Sequence, residues 1–424
     1  MIQNIESFLK LVGSRPENRL LLGILLAVVI PYLFRWDVEF IERVTRQTHV
    51  NASFGVLLAV IVGFFFFERL ARFPGIETVS HVFPIFAITF LVVVSLYTLF
   101  RIEYSRLTLL TGFVACQAWF HAVYFANRWA SRLEFAVVPL GHVSDLVGMP
   151  HVKWYLLDSP QLEKRPLSGV VADLNADLPD EWETFLAAVS LDGVPVFAAR
   201  QLRESLTGRV ELDHLSENHL GTLMPNSIYQ DARTVADRFI ALVALPLLIP
   251  FFCLIALIIK SESAGPVFFR QRRTGLHGRE FLVWKFRTMY VDRPSTEPIA
   301  DSLTMQGDPR ITAVGKFLRR TRIDELPQLF NVLKGEMGWI GPRPVATVLA
   351  DWFEKEVPFY QYRHIVRPGL TGWAQINQGY TASIIEEKIK LQYDLYYIKN
   401  YSFWIDMLII LRTIKILFSG AGVR

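Results

Sequence analysis

The sequence predicts three successive parts: an α-helical membrane bundle (1–132), a small α/β domain (133–230) and a second α/β domain (231–424). The second α/β domain is expected to carry a re-entrant membrane helix and interfacial amphipathic helices. Of the 424 residues, 52% are hydrophobic and only 20% are charged, whereas soluble domains average about a quarter charged. The apolar excess is concentrated in the first third of the chain. Short β-like runs alternate with helical patterns after it, as in α/β folds.

The membrane bundle is predicted from four apolar runs. Each is about the length needed to cross a bilayer, at roughly 20 residues per span. No small-residue cleavage site follows the first run, so a signal peptide is not expected. An even number of spans places both ends of the bundle on the same side of the membrane. The runs are Leu20–Phe34, Ala52–Phe67, Val82–Phe100 and Leu107–Ala126.

The small α/β domain is predicted from four strand-like runs and one helical segment, and the pattern favours a parallel sheet. The turn after the first strand contains a single glycine, Gly141. A dinucleotide-binding turn needs G-x-G-x-x-G, so we expect no cofactor here and a packing, oligomerisation or regulatory function instead. The strands are Glu134–Pro139, Val152–Leu157, Gly169–Ala172 and Val194–Ala198, and the helix is Asp180–Ser190.

A fifth apolar run, Phe239–Ile259, lies between Arg238 and Lys260 and contains Pro246 and Pro250. Each proline removes a backbone donor and leaves a carbonyl without a partner in hydrocarbon. A fifth full span would also put the two α/β domains on opposite sides of the membrane. We therefore expect a re-entrant helix over about 237–260. A proline-kinked spanning helix is the alternative.

Two helical patterns close the chain, Ile384–Tyr397 and Phe403–Phe418. The second is mostly apolar, but as a helix it would be only about 24 Å long, too short to cross a membrane comfortably. An interfacial helix and a buried core helix are both compatible with this pattern.

Charge is distributed unevenly along the chain. The net charge is +4, but residues 260–345 contain 15 Lys and Arg against 9 Asp and Glu. A basic region next to a membrane segment suits anionic lipid headgroups or a nucleotide diphosphate. The arginines lie in short scattered motifs, so nucleic acid is not an expected partner. Cys116 and Cys253 lie in apolar segments and indicate neither a disulfide framework nor a metal site.

The strongest candidate for chemistry is the adjacent pair Asp324 and Glu325, which follows Arg319, Arg320 and Arg322. Either Thr321 caps a helix here or Pro327 occupies its first position. Both alternatives put the carboxylates near a helix start, where anions are favoured.

An aspartate that attacks phosphorus forms an acyl-phosphate intermediate, and cations must offset the repulsion between carboxylate and phosphate. Arg319 is placed to hold a phosphate bidentately. Glu325 is interpreted as a Mg²⁺ ligand or as a general base, and the sequence does not separate these two functions.

The second half of the chain resembles the bacterial sugar transferase family, the monotopic-type polyprenyl-phosphate phosphoglycosyl transferases. The resemblance extends from about Arg233 to the C-terminus. It is carried, in order, by Gly265-Pro266-Val267-Phe268-Phe269-Arg270-Gln271, Trp284-Lys285-Phe286-Arg287-Thr288-Met289, Asp308-Pro309-Arg310-Ile311-Thr312, Arg319, Asp324-Glu325-Leu326-Pro327-Gln328-Leu329, Asn331-Val332-Leu333-Lys334-Gly335, Gly341-Pro342-Arg343-Pro344 and Pro368-Gly369-Leu370-Thr371-Gly372-Trp373-Ala374-Gln375.

The resemblance implies transfer of a sugar 1-phosphate from a UDP-sugar to polyprenyl (undecaprenyl) phosphate, with release of UMP. This step initiates exopolysaccharide, capsule or O-antigen synthesis. It implies that Asp324 is the covalent nucleophile, with Glu325 as its partner and Mg²⁺ as cofactor. Arg319 and Arg343 occupy the positions of phosphate-contacting arginines. Lys285, Arg287 and Arg310 lie in family motifs and are candidates for substrate contacts, although lipid headgroups are an equal alternative for Lys285 and Arg287.

The resemblance also implies the large form of the family, with four spans and a degenerate Rossmann-like domain before the catalytic domain. It puts Asp237 near the start of the re-entrant helix and Pro250 at its break, where Ile249 replaces a frequent serine. The soluble parts are then expected on the cytoplasmic face of the bacterial inner membrane. The N-terminal spans and the extra domain are compatible with a homodimer. The transferred sugar is not indicated. The alternative is a catalytically inactive scaffold or sensor of a polysaccharide assembly complex.

Overall fold

The computed structural model describes residues 16–33, 47–71, 73, 78–130, 133–149, 152–162, 165, 167–212, 224–290, 308, 310–378 and 383–419. The chain divides into two compact units, residues 1–208 and residues 209–424.

The first unit begins with four helices that correspond to the four predicted apolar runs. They are α1 (Pro16–Leu33), α2 (Gln47–Leu70), α3 (Thr78–Leu99) and α4 (Arg106–Ala130). Within the described residues, the segments Gln47–Leu70, His81–Leu99 and Arg106–Phe125 are long and apolar enough to cross a membrane. The prediction of an apolar N-terminal helical region is confirmed.

Glycines allow these helices to approach closely. A Cβ atom on Gly55 would lie 2.8 Å from the Tyr97 hydroxyl oxygen, and one on Gly112 would lie 2.7 Å from Val56. The Tyr97 hydroxyl donates a hydrogen bond of 2.6 Å to the backbone carbonyl of Asn51. Small residues and interhelical hydrogen bonds hold helices together where lipid removes the hydrophobic driving force.

The α/β part of the first unit contains a four-stranded parallel sheet in the order β2-β1-β3-β4. The parallel sheet is confirmed, and strand and helix bounds lie within two residues of prediction. The elements are β1 (Leu133–Val137), α5 (Ser144–Val147), β2 (Val152–Leu156), β3 (Gly169–Ala172), α6 (Asp180–Leu191), β4 (Val196–Ala198) and α7 (Ala199–Thr207).

Alternate residues of the central strands supply two separate hydrophobic clusters. On one face Val137 and Val171 pack with Leu202, and on the other Val170 packs with Phe185 and Val189. Side chains of a strand alternate between the two faces of its sheet, so both faces of this sheet are covered. All four residues of β3 are therefore buried.

The second unit begins with α8 (Ser227–Glu262), a 36-residue helix that continues through Pro246 and Pro250. The Asn226 side chain caps it by accepting a hydrogen bond of 3.1 Å from the Tyr229 amide. The predicted apolar run is thus the later part of a longer helix. This helix is also long and apolar enough to cross a membrane.

Both ends of α8 contact the same unit. Near its start, Arg233 donates to the Tyr397 hydroxyl at 2.7 Å. At its end, the Glu262 carboxylate accepts a hydrogen bond of 3.1 Å from the Val314 amide. One side of the helix packs into the unit through Phe252, Ile255 and Ile259. The other side is apolar and exposed, with Leu242, Leu247 and Leu257 exposed by 61%, 77% and 70%.

The remaining elements surround a short hairpin and two parallel strands. The hairpin joins β5 (Phe268–Thr274) to β6 (Glu280–Phe286) in antiparallel register, and β7 (Gly338–Ile340) pairs with β8 (Gly369–Thr371). The helices are α9 (Ala313–Thr321), α10 (Leu329–Lys334), α11 (Thr347–Glu356), α12 (Trp373–Asn377), α13 (Ile384–Lys399) and α14 (Phe403–Ser419), and short 3₁₀ helices occupy Leu276–Gly278, Ile323–Gln328 and Tyr360–Ile365.

The last helix has features of both predicted alternatives. Ile405, Leu408 and Ile409 of α14 are fully buried, whereas Phe403 and Ile414 are exposed. One face of α14 therefore belongs to the core of the unit, and its other face exposes apolar side chains, as an interfacial helix would.

Candidate active site

Asp324 and Glu325 lie in a 3₁₀ helix, Ile323–Gln328, which directly follows the end of α9. Arg322 separates the two helices, because it adopts the left-handed conformation with a φ of 59° and ends α9. Both predicted alternatives for this helix start are therefore wrong. Thr321 is the last residue of α9, and its hydroxyl donates back to the Phe317 carbonyl at 2.9 Å. Pro327 lies inside the 3₁₀ helix rather than at its first position.

Glu325 is held by two cations from distant elements. Lys285 of β6 donates from Nζ to Glu325 Oε1 at 3.1 Å. Arg343, in the loop after β7, donates from Nη1 to Oε2 at 3.3 Å and from Nη2 to Oε1. All three side chains are largely buried. The structure thus brings together three of the residues singled out in the sequence.

Burial by itself would favour the neutral form of the Glu325 carboxyl, but Arg343 and Lys285 hold its pKa well below the usual range. Burial lowers the pKa of Lys285 to about 8, against the opposing effect of Glu325. Glu325 is consequently an anion at all physiological pH values, whereas Lys285 titrates close to them.

Asp324 differs from its neighbour. Its side chain is buried, and no described residue hydrogen-bonds to its carboxylate. Burial raises its pKa, while the charges of Lys285, Arg319 and Arg343 act in the opposite direction. Asp324 is therefore a carboxylate without a hydrogen-bonding partner among the described residues, in a cationic environment. Its oxygens are available to a substrate.

Arg319 of α9 lies near enough to Asp324 for the two charges to interact. Its Nε donates to the Thr288 hydroxyl at 2.8 Å. Burial lowers its pKa, and the charges of Asp324 and Asp308 act in the opposite direction. Arg310 pairs with Asp308, with Nη2 donating to Oδ2 at 2.8 Å. This ion pair joins the predicted Arg310 to the same neighbourhood through Arg319.

Other predicted residues make different contacts. The buried Arg287 donates to the carbonyl and hydroxyl oxygens of Ser263, at 2.7 and 2.8 Å, just beyond α8. Asp237 lies 3.8 Å from Arg233 within α8, and Pro250 lies inside the same helix. The Arg287 contacts join the end of α8 to β6 and its neighbours, and none of the contacts in this paragraph involves Asp324 or Glu325.

Two residues near the site were not predicted as functional: Arg273 was not singled out, and Asn331 was named only as part of a family motif. Arg273 of β5 donates to the Pro344 carbonyl at 2.6 Å. Asn331 is fully buried; its Oδ1 accepts from the Trp284 amide at 3.1 Å and its Nδ2 donates to the Leu282 carbonyl at 2.7 Å. It therefore fixes the part of β6 that carries Lys285. The only sequence signal for Arg273 is strand alternation, which puts it on the same face as Gln271.

The residues fit a Mg²⁺ ion of one particular kind. Mg²⁺ takes one or two carboxylates from a protein and completes its octahedron with water and substrate phosphate oxygens. Asp324 and Glu325 provide such a pair. In the described part of the chain, no three His, Cys, Asp or Glu side chains gather into a metal-binding group. These two carboxylates would suit an ion that is shared with a phosphate substrate.

Comparison with known proteins agrees with this geometry. The sequence model of the family described as "Bacterial sugar transferase" matches residues 228–420. The UDP-N-acetylgalactosamine-undecaprenyl-phosphate N-acetylgalactosaminephosphotransferase of Aeromonas hydrophila is 45% identical over 325 residues, which cover 76% of each chain. The chain belongs to the bacterial sugar transferase family. The family predicted from its motifs is confirmed, and this sugar transferase is an enzyme of the phosphotransferase class.

Two further relatives show how much of the sugar transferase is shared. The UDP-glucose:undecaprenyl-phosphate glucose-1-phosphate transferase of Xanthomonas campestris pv. campestris is 47% identical over 184 residues. These residues cover 43% of this chain and 38% of that protein. The exopolysaccharide production protein PSS of Rhizobium leguminosarum bv. phaseoli is 43% identical over 183 residues, which is 90% of that protein. Nearly all of that relative is thus matched by less than half of the sugar transferase.

Proposed function

We propose that this sugar transferase moves a sugar 1-phosphate from a UDP-sugar to undecaprenyl phosphate, releasing UMP and forming a polyprenyl-diphosphate-sugar. The activities named for the Aeromonas and Xanthomonas relatives support this reaction class. The observation that carries the proposal is the contrast between the two carboxylates. Glu325 is neutralised by Lys285 and Arg343, whereas the Asp324 carboxylate has no hydrogen-bonding partner among the described residues. Asp324 is thus the group free to attack.

In the first step, an Asp324 carboxylate oxygen attacks the β-phosphorus of the UDP-sugar. The bond from this phosphorus to the bridging oxygen breaks, its electron pair leaves with UMP, and an aspartyl phosphosugar forms. In the second step, a phosphate oxygen of undecaprenyl phosphate attacks the same phosphorus. The phosphorus–oxygen bond to Asp324 then breaks and regenerates the carboxylate. The two steps need no net proton transfer.

The surrounding cations make an attack by one anion on another possible. Lys285, Arg319 and Arg343 all influence the Asp324 carboxyl, and in a buried site such charges act strongly on a diphosphate. Because Arg319 binds Thr288 through Nε, its terminal nitrogens are left for a phosphate oxygen. The raised pKa of Asp324 also means a more basic, and therefore more nucleophilic, carboxylate.

The low pKa of Glu325 argues against a general-base function. A group that stays ionised far below neutral pH takes up a proton poorly at the pH of the reaction. We infer that Glu325 organises Lys285 and Arg343 and, with Asp324, contributes to Mg²⁺ binding. When bound, Mg²⁺ would supply positive charge to the substrate diphosphate.

The membrane arrangement that we propose is a re-entrant α8, with the second unit on the cytoplasmic face of the inner membrane, where UDP-sugars are made. Support comes from the contacts of both α8 ends with one unit and from its exposed apolar side. In a C116S/C253S background, S227C and S261C should both react with an impermeant maleimide only after the cytoplasmic face is opened. Labelling of the two positions from opposite sides would establish a spanning helix instead.

The deciding experiment measures UMP release by the full-length protein in lipid nanodiscs with Mg²⁺. The donor panel begins with UDP-N-acetylgalactosamine and UDP-glucose, which the relatives' names indicate, each with and without undecaprenyl phosphate. One donor should give lipid-dependent UMP release, and Asp324→Asn should abolish it. Without lipid, one equivalent of UMP and a hydroxylamine-sensitive phosphosugar on the protein should accumulate. UDP in place of UMP would refute the mechanism, and inactivity with every donor would favour the scaffold alternative.

A further inference from the structure

The loop that carries Arg343 is held by its backbone. Arg343 lies between Pro342 and Pro344, which have no amide hydrogen to donate. Four consecutive carbonyl groups of this loop nevertheless each accept a hydrogen bond from outside it. The bonds are Gly369 N to Pro342 O at 3.0 Å, Arg363 Nη2 to Arg343 O at 3.0 Å, Arg273 Nη1 to Pro344 O at 2.6 Å and Thr274 N to Val345 O at 3.0 Å.

Arg363 is the donor to Arg343 itself, and it is almost completely buried. Its Nη2 also contacts Asp394 Oδ2 at 2.8 Å, and its Nη1 lies 3.5 Å from Glu387 Oε1. Lys390 pairs with Glu387 at 2.9 Å. The cluster therefore balances two cations with two anions in the interior of the unit.

A buried charged cluster of this kind is seldom an efficient source of stability, because burying the charges costs about as much as their pairing returns. Its position suggests another use. Asp394 and Glu387 both lie on α13, so they anchor the Arg363 guanidinium to a core helix. The same guanidinium then reaches the carbonyl of the residue that binds Glu325.

We propose that Arg363 is a positioning residue, which fixes the Arg343 backbone so that the Arg343 side chain faces Glu325 and the substrate phosphates. The role assigned to Arg343 rests on the proposed function. Arg273 acts in parallel from the hairpin side, on the carbonyl of Pro344. No signal in the linear sequence joins residues 343 and 363.

The experiment is a double-mutant cycle between Arg363→Lys and Arg343→Lys in the full-length protein. Lysine keeps the positive charge that Asp394 and Glu387 require, but its single ammonium replaces the forked guanidinium. Arg367→Lys is the matched control, because Arg367 donates to the Gly335 carbonyl and the Thr234 hydroxyl rather than to this loop. The measurements are kcat/KM for UMP release, the affinity for UDP and the thermal midpoint.

We expect Arg363→Lys to lower kcat/KM about tenfold, since small misplacements of substrate-binding groups have large kinetic effects. In the Arg343→Lys background the same change should cost less than about twofold, because residues acting through one group are not additive. Arg367→Lys should leave kcat/KM within about twofold of the wild type.

Fully multiplicative effects of Arg363→Lys and Arg343→Lys would overturn the proposal, as would equal losses in Arg363→Lys and Arg367→Lys. If Arg363→Lys fails to fold, Arg273→Lys replaces it in the same cycle with Arg343→Lys. The UDP affinities distinguish failure of the proposed function from failure of the positioning role of Arg363. Without any UMP release by the wild type the proposed function fails, yet non-additive UDP affinities would still support the positioning of Arg343.

Discussion

Replacing Lys285 by arginine should remove the basic limb of the pH–activity profile. Burial lowers the pKa of Lys285 to about 8, from an ordinary value of about 10.4. Lys285 is therefore charged below that pH and loses its charge above it. If its positive charge is required next to Glu325 and the substrate diphosphate, activity is complete near pH 7 and declines through pH 8.

The expected magnitude follows from the titration. One pH unit above the pKa, about a tenth of the molecules keep the Lys285 proton, so kcat/KM should fall about tenfold between pH 7 and pH 9. An arginine guanidinium stays protonated throughout the pH range of the assay. In Lys285→Arg the decline should therefore be absent up to pH 9.5, even if the plateau is lower. Lys285→Gln, which has no charge, should be uniformly slow and flat.

The assay is initial-rate UMP release at subsaturating donor between pH 6.5 and 9.5, with constant ionic strength and Mg²⁺. Thermal midpoints recorded at each pH separate loss of activity from loss of structure. A basic limb at the same pH in Lys285→Arg would refute the reasoning. It would mean that another group, or the substrate, titrates there.

Three further changes test other parts of the site. Glu325→Gln should lower kcat about 100-fold and raise the Mg²⁺ concentration for half-maximal rate about tenfold or more, on the scale of lost metal-site contacts. Glu354→Gln, on α11, is the control. An unchanged Mg²⁺ requirement in Glu325→Gln would exclude Glu325 as a ligand. Gly315→Ala should reduce kcat/KM about tenfold, because the added Cβ would lie 2.1 Å from the carbonyl oxygen of Thr288 and would displace this partner of Arg319. The control Gly148→Ala, whose added Cβ meets no atom within 4 Å, should leave kcat/KM unchanged. Equal effects of the two changes would contradict this reasoning. Asn331→Ala would leave buried backbone groups of β6 without hydrogen bonds, which lowers the free energy of unfolding by about 2 kcal/mol. The thermal midpoint should then fall by about 5 °C. An unchanged midpoint would show that those groups find other partners.

Much of the fold follows from local sequence patterns. The strands of the small α/β domain were predicted within two residues because a run of alternating or fully buried β-branched residues identifies a strand without reference to its partners. The pair Asp324 and Glu325 was likewise recognisable from its neighbours, because the nearby arginines are close in sequence as well as in space.

The supporting contacts were not predictable in this way. Arg273 and Pro344 are separated by 71 positions, Asn331 and Trp284 by 47, and a linear string does not indicate which of many polar residues will meet. The helix start at Thr321 was wrong for a different reason. Arg322 adopts a positive φ, which a residue other than glycine seldom does, so no propensity argument favours a break there.

The start of α8 at Ser227 could not be predicted from the apolar pattern either. Hydropathy reports the part of a helix that suits hydrocarbon, from about Phe239 onward. The first three turns are polar on one side because Arg233 donates to Tyr397 and Tyr401 and lies 3.3 Å from Asp406. Those partners lie more than 160 positions later, so tertiary contacts rather than hydrophobicity determine where this helix begins.

The exposed apolar side of α8 decides how the protein can be handled. It belongs to the same unit as the carboxylate pair, so removal of the first four helices would not yield a freely soluble enzyme. Leu242, Leu247 and Leu257 would still need a covering of lipid or detergent, because exposing this much contiguous apolar surface to water leads to aggregation. A form shortened to the second unit is therefore best purified in detergent from the first extraction step, and its dependence on detergent is a property of the unit that contains Asp324 and Glu325.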